Sequence, residues 1–248
     1  MFFDAFAGTG EIPIEEAGGL FQDVEEAESF VEGSAKRALS VTPPFTRYIL
    51  VERSRRKAAL LETLKTEFVH LSPRIHVERT DANVAVERFC ANTDWTRTRA
   101  VLFLDPFGNQ VGWSTIKAIA RTRGIDLWYL FPAHLGVNRQ ISSSGEFDMA
   151  KAASLDRVLG TSEWREEFVA TIKRQNLWGE ADQISFKQAT VDSVTRFMIK
   201  RMKRVFKGVV LDEWLPLGRG GSHWYSLLFA CANPNACRLN VPRAYLLS

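Results

Sequence analysis

Cysteine is scarce. The 248 residues hold three, Cys90, Cys231 and Cys237, an odd number with no CxxC pair, which argues against a disulfide framework and against a thiolate metal site. The four histidines, His70, His76, His134 and His223, are scattered without a ligand-like pair, so no metal centre is expected. No apolar run approaches the roughly 20 residues that cross a bilayer; the longest lies near residues 227–232. No charged segment leads into an apolar one at the start, so no signal peptide is read, and a reducing cytoplasm is the expected location. Charge of one sign is not in large excess either, 32 Lys and Arg against 29 Asp and Glu. That balance permits nucleic-acid binding without requiring it. With 46% hydrophobic and 25% charged residues, the chain is neither disordered nor collagen-like nor a coiled coil.

The expectation is a single domain over residues 1–248. Phe2-Phe3-Asp4-Ala5-Phe6 reads as a short buried strand entering a glycine turn, and Tyr48-Ile49-Leu50-Val51 as a continuous apolar strand of the parallel kind. Residues 54–69 read as a helix with Ala58, Leu61, Leu64 and Phe68 on one face. Strands at 75–78, 100–104 and 125–131 alternate with helices at 81–91 and 114–121. This alternation predicts an α/β fold, a mostly parallel sheet with helices on both faces. Beyond it, 138–190 reads as a helical insertion after the fifth strand, helical over 150–177, and 191–206 as a long helix. Strands at 209–215 and 224–231 flank the short link Gly218-Arg219-Gly220-Gly221, which demands an antiparallel pair. A parallel sheet closed by such a pair is the Rossmann-like methyltransferase arrangement.

Strand ends carry the chemistry. Asp4-Ala5-Phe6-Ala7-Gly8-Thr9-Gly10 ends the first strand, and glycines there let backbone approach a ligand closely. An acid before the turn repels a pyrophosphate but suits an ammonium, such as the methionine end of S-adenosylmethionine. Glu52 follows the second strand, where an acid accepts hydrogen bonds from ribose hydroxyls. Asp81-Ala82 follows the third, where Asp81 serves either the adenine amino group or the following helix as its N-cap. Leu104-Asp105-Pro106-Phe107-Gly108 ends the fourth strand. Asp105 and the Pro106 carbonyl offer acceptors to an amine, and Phe107 an aromatic face, following the logic of the Asp-Pro-Pro-Tyr loop of amino-methyltransferases. Asn138 and Arg139 follow the fifth strand, where Arg139 suits a phosphate or a base. Arg196, Lys200, Arg201, Lys203, Arg204 and Lys207 crowd one helix, which reads either as a nucleic-acid footprint or as a solvated face.

At Asp4–Gly10, Gly33-Ser34 with Ala38-Leu39, Val51-Glu52, Leu104–Gly108, residues 126–132 and Asn138-Arg139, the chain resembles the three-Cys-motif partner proteins. These are bacterial proteins encoded beside a cysteine-motif protein. The Asp-Pro-Phe-Gly tetrapeptide also resembles the corresponding loop of tRNA guanine dimethyltransferases. The first resemblance implies a Rossmann-like methyltransferase domain that uses S-adenosylmethionine, held by Asp4, Phe6, Gly8, Gly10, Glu52, Asp81 and Ala82. It also implies a cysteine-motif protein as partner. Members of that family carry a helical segment ahead of the first strand, whereas Asp4 stands almost at the start here, so either the first strand is short or the start codon is misassigned, and either would weaken cofactor binding. Methyl transfer to an amino group of a nucleic-acid base is the function these motifs favour. The alternative is a non-catalytic module that serves the partner.

Overall fold

The computed structural model describes residues 1–9, 33–145, 148–175, 181–218 and 222–235. A seven-stranded sheet runs in the order β3-β2-β1-β4-β5-β9-β8. Its parallel strands are β1 (Phe2–Asp4), β2 (Tyr48–Val51), β3 (Ile75–Glu78), β4 (Ala100–Leu104) and β5 (Ile125–Phe131). The antiparallel partners are β9 (Tyr225–Cys231), which pairs Trp128 with Phe229, and the edge strand β8 (Leu215–Leu217). This mostly parallel sheet closed by two antiparallel strands is the Rossmann-like methyltransferase fold.

Successive side chains leave a strand on opposite faces, and the short buried strands here use both. Phe3, Ile49, Val51 and Leu102 join one apolar cluster, while Phe2, Tyr48 and Leu50 join another. The second cluster packs on α1 (Ser34–Ser40), α2 (Arg55–Glu62) and α3 (Leu64–Glu67). The first packs on α4 (Ala82–Asn92), α5 (Trp113–Thr122), α6 (Met149–Leu159), α7 (Trp164–Phe168) and α8 (Val191–Val205). Each fully buried Leu or Phe contributes about 1.5–3 kcal/mol, so this two-sided burial holds the strand tips in fixed register.

Several boundaries differ from the sequence pattern. The helical reading of 150–177 holds only to Phe168; β6 (Val169–Gln175) and β7 (Ala181–Lys187) then form a separate antiparallel hairpin. Val169, Thr171 and Ile172 are β-branched and suit a pleated surface better than a helix. The helix expected over 54–69 breaks into α2 and α3, and a 3-10 turn, Val69–Arg74, follows. The strand expected over 209–215 is reduced to one bridge, Val210 to Ala230, before β8. Pro216 removes a donor from β8, which is tolerated at a sheet edge. Residues 219–221 of the glycine-rich link lie outside the described residues, as does Cys237.

The basic residues of α8 stay largely exposed, Arg201 being the half-buried exception, although four of them have partners within the fold. Arg201 donates to the carbonyls of Leu159 (3.1 Å) and Gly160 (2.9 Å) and lies 5.0 Å from the Trp113 ring centre. Arg196 stands 5.6 Å from the Trp214 ring centre, Arg204 pairs with Glu163 at 3.2 Å, and Lys203 pairs with Asp212. No helix among the described residues is long and apolar enough to cross a membrane.

Candidate functional site

The carboxyl ends of β1 to β4 open into one cleft of about 540 Å³. Parallel strands present all their carboxyl ends on one edge, where loops diverge and leave a crevice. Phe6 and Gly8 after β1, Glu52 after β2, Asp81 and Ala82 after β3, and Asp105 and Phe107 after β4 all line it.

The β1 turn is built from main-chain and side-chain hydrogen bonds together. Ala5 N–H donates to Phe103 O at 3.1 Å and Ala7 N–H to Val51 O at 3.0 Å, so the chain continues between β4 and β2 past the strand end. It then turns at Gly8, with φ +60°. A Cβ at Gly8 would find nothing nearer than Phe6 O at 4.0 Å. The space beside this backbone is therefore open to a ligand, and the positive φ favours glycine.

Asp4 does not line the cleft. It is fully buried, accepts a hydrogen bond from Phe6 N–H at 3.1 Å, and accepts another from Ser34 Oγ at the start of α1. Its carboxylate braces the turn from behind rather than facing a ligand directly. Burial pushes Asp4 up to about 7; the Ser34 and Phe6 hydrogen bonds oppose this, and the charges of Asp105 and Glu52 reinforce it.

Glu52 Oε1 accepts from Ser54 N–H at 2.6 Å, and Ser54 caps α2. Asp81 is the N-cap of α4, accepting from Asn83 N–H (2.9 Å) and Val84 N–H (3.3 Å) through one oxygen, Oδ1. Capping and cleft lining coexist in this one carboxylate.

The β4 loop is held in shape by its neighbours. Asn83 Nδ2 donates to Gln110 O at 3.0 Å while its Oδ1 accepts from Gly112 N–H at 2.9 Å. Arg157 of α6 donates to Gln110 O at 3.2 Å and to Asn109 O. Gln110 Oε1 accepts the Phe107 N–H at 3.0 Å. Within this frame Pro106 is buried and outside the lining, whereas Phe107 is 86% exposed. The braced loop thus holds this aromatic ring out at the cleft. Asp105 is reachable by solvent yet set among concave walls, and burial there pushes its carboxyl up to about 6. Among the described residues it makes no hydrogen bond.

Asn138 and Arg139 are not in this lining; they sit in the turn after β5. Gly10 lies outside the described residues. The lining also contains Thr80, Asn109, Gln110 and Arg157, which the motif reading missed. Asn109 and Gln110 directly follow Asp-Pro-Phe-Gly and were within its reach; Arg157, from a helix far along the chain, had no local signal. Among the described residues no group of three His, Cys, Asp or Glu side chains is placed to hold a metal ion.

No family model and no curated protein matches the chain. Solved structures are similar in part, among them the following two. One, a "conserved hypothetical protein" of Streptococcus pyogenes, is 15% identical and covers 76% of this chain and 85% of its own, with a TM-score of 0.31. The other, a "putative rRNA-methylase" from Clostridium thermocellum, is 10% identical and covers 76% and 86%, also with a TM-score of 0.31. At such values neither carries chemistry to this chain.

Proposed function

We propose that this cleft binds S-adenosylmethionine and that the protein transfers a methyl group to an amino group of a nucleic-acid base. The observation that carries the reading is that four successive strand tips deliver Gly8, Glu52, Asp81 and Asp105 to one cleft. The residues fit the cofactor. Open backbone at Gly8 accommodates its methionine portion, Glu52 accepts from its ribose hydroxyls, and Asp81 and Ala82 border its adenine. When bound, the cofactor supplies an electrophilic methyl group.

The chain's own residues then position the acceptor. Near neutral pH Asp105, raised only to about 6, is mostly ionised and accepts an N–H of the incoming amine. Pro106, buried behind the lining, fixes the loop rather than serving as a second acceptor, and Phe107 stacks on the base. Holding the amine in line is the main catalytic task, since displacement at a methyl group needs alignment and exclusion of water. Isothermal calorimetry with S-adenosylmethionine and S-adenosylhomocysteine tests the reading. Binding of both is expected; absence of binding by the folded chain overturns it. A cytoplasmic location belongs to the same reading.

A second reading, a module that docks a cysteine-motif protein, draws on one observation. Ile172 and Ile184 are cross-strand partners in the hairpin, and with Phe186 they stand exposed. A folded chain that ignores both cofactor forms but binds such a partner would favour it.

A further inference from the structure

The turn after β5 gathers basic groups that the cleft does not use. Residues Ala133–Val137 form a π-helical turn and Asn138–Gln140 a 3-10 turn; wide turns of this kind recur at functional sites. Lys187, at the end of β7, donates from Nζ to the Asn138 carbonyl at 2.7 Å. Asn138 Nδ2 lies 3.3 Å from His134 Nδ1. The His134 main-chain N–H donates to Trp224 O at 3.0 Å, which brings His223 alongside. Burial first, then the charges of Arg139, Lys187 and His223, holds the His134 imidazole below its usual value.

Little acid offsets this cluster. Asp192 stands 3.4 Å from His223 Nδ1. Among the described residues His134, Arg139 and Lys187 make no ion pair with a carboxylate. The Arg139 and Lys187 charges, gathered at one turn, are unfavourable together until an anion joins them. The same turn contains two buried acceptors, Asn138 Oδ1 and Gln140 Oε1, with no hydrogen-bond partner. A nucleotide answers both needs, since its phosphate oxygens meet cations and its base N–H groups and hydroxyls are donors. The turn is also joined to the Asp105 loop. Asn109 Nδ2 donates to Gly136 O at 2.9 Å, and Tyr225, next to Trp224, is raised by burial and by the Asp105 charge.

We infer that Arg139 and Lys187, with His134 beside them, form a phosphate subsite that holds the methyl-accepting nucleotide beside the Asp105 loop; His223 is already engaged by Asp192 at Nδ1 and by Ser226 Oγ, 2.8 Å from Nε2. The inference rests on the methyltransferase reading for its substrate, but its test does not. The full chain is titrated with a short single-stranded RNA and, separately, with a nucleoside monophosphate, across a salt series. Arg139→Gln and Lys187→Gln are each expected to weaken RNA binding several-fold and to lower the salt slope by about one, while Lys187→Arg retains both. A merely structural tie from Lys187 to Asn138 would leave the slope unmoved. Binding of the monophosphate as well identifies a free nucleotide as sufficient; binding of the RNA alone identifies a strand. Unchanged affinity and slope in both variants, or no binding of either probe by the unaltered chain, overturns the subsite. Calorimetry with S-adenosylmethionine on the same samples separates the two ideas. Loss of slope without cofactor binding keeps the subsite and removes methyl transfer, and the converse result does the reverse.

Discussion

Two aspartates stand at neighbouring strand tips and live in different worlds. Asp4 closes β1, opposite Phe103 of β4, and Asp105 comes just after β4 ends. Burial raises both carboxyls, yet Asp4 has two donors in place, while Asp105 has none among the described residues and opens on the cleft. The first is therefore committed to shaping a backbone turn. The second lines the open cleft. The same residue type in the same topological position takes its role from what packs over it: α1 covers Asp4 through Ser34, and among the described residues no such cover lies over Asp105.

The sharpest way to break this comparison is pH. The folded protein keeps the Asp4 proton up to about 7, whereas an ordinary carboxyl loses it near 3.8. Folding thus favours bound protons between those values, and the Asp4 contribution to stability falls as pH rises through that window, by about 4 kcal/mol at most. Asp4→Asn keeps a hydrogen-bonding amide and cannot ionise. Its stability relative to the unaltered chain should climb from pH 4 to 7 in urea unfolding, and a flat difference would show that Asp4 is not held as described.

Asp105→Ala should have the opposite profile, with stability little changed and methyl transfer lost by more than about 100-fold, near 3 kcal/mol in the barrier. Cofactor affinity should stay nearly intact, because the lost interaction acts on the amine in the transition state. Full activity in this variant would remove the loop from the mechanism. Glu52→Ala should instead weaken cofactor affinity, by about 1–3 kcal/mol; an unaltered calorimetric affinity would free Glu52 from that role. Phe107→Ala is expected to lower transfer by about 1–3 kcal/mol if its ring stacks on a base. Phe107→Tyr should retain most activity, and equal losses in both variants would speak against stacking.

Much of this site was legible as a pattern. Buried parallel strands announce themselves as short apolar runs, and the residue after each run must lie on the same edge of the sheet. That is why Gly8, Glu52, Asp81 and Asp105 could be named together although they are scattered along the chain. The hairpin of β6 and β7 was harder to see, because its β-branched residues follow directly on a genuine helical segment.

What the sequence by itself determined was the strand order's raw material: which segments are apolar, which residues end them, and where glycine permits a turn. Only the tertiary structure decided that Asp4 is sealed behind the turn, that Arg157 reaches from α6 to brace Asn109 and Gln110, and that Lys187 of the hairpin reaches Asn138 in the turn after β5. The physical reason is range. Period and propensity act over a few neighbouring residues, whereas burial, charge coupling and side-chain reach depend on which distant segments pack together.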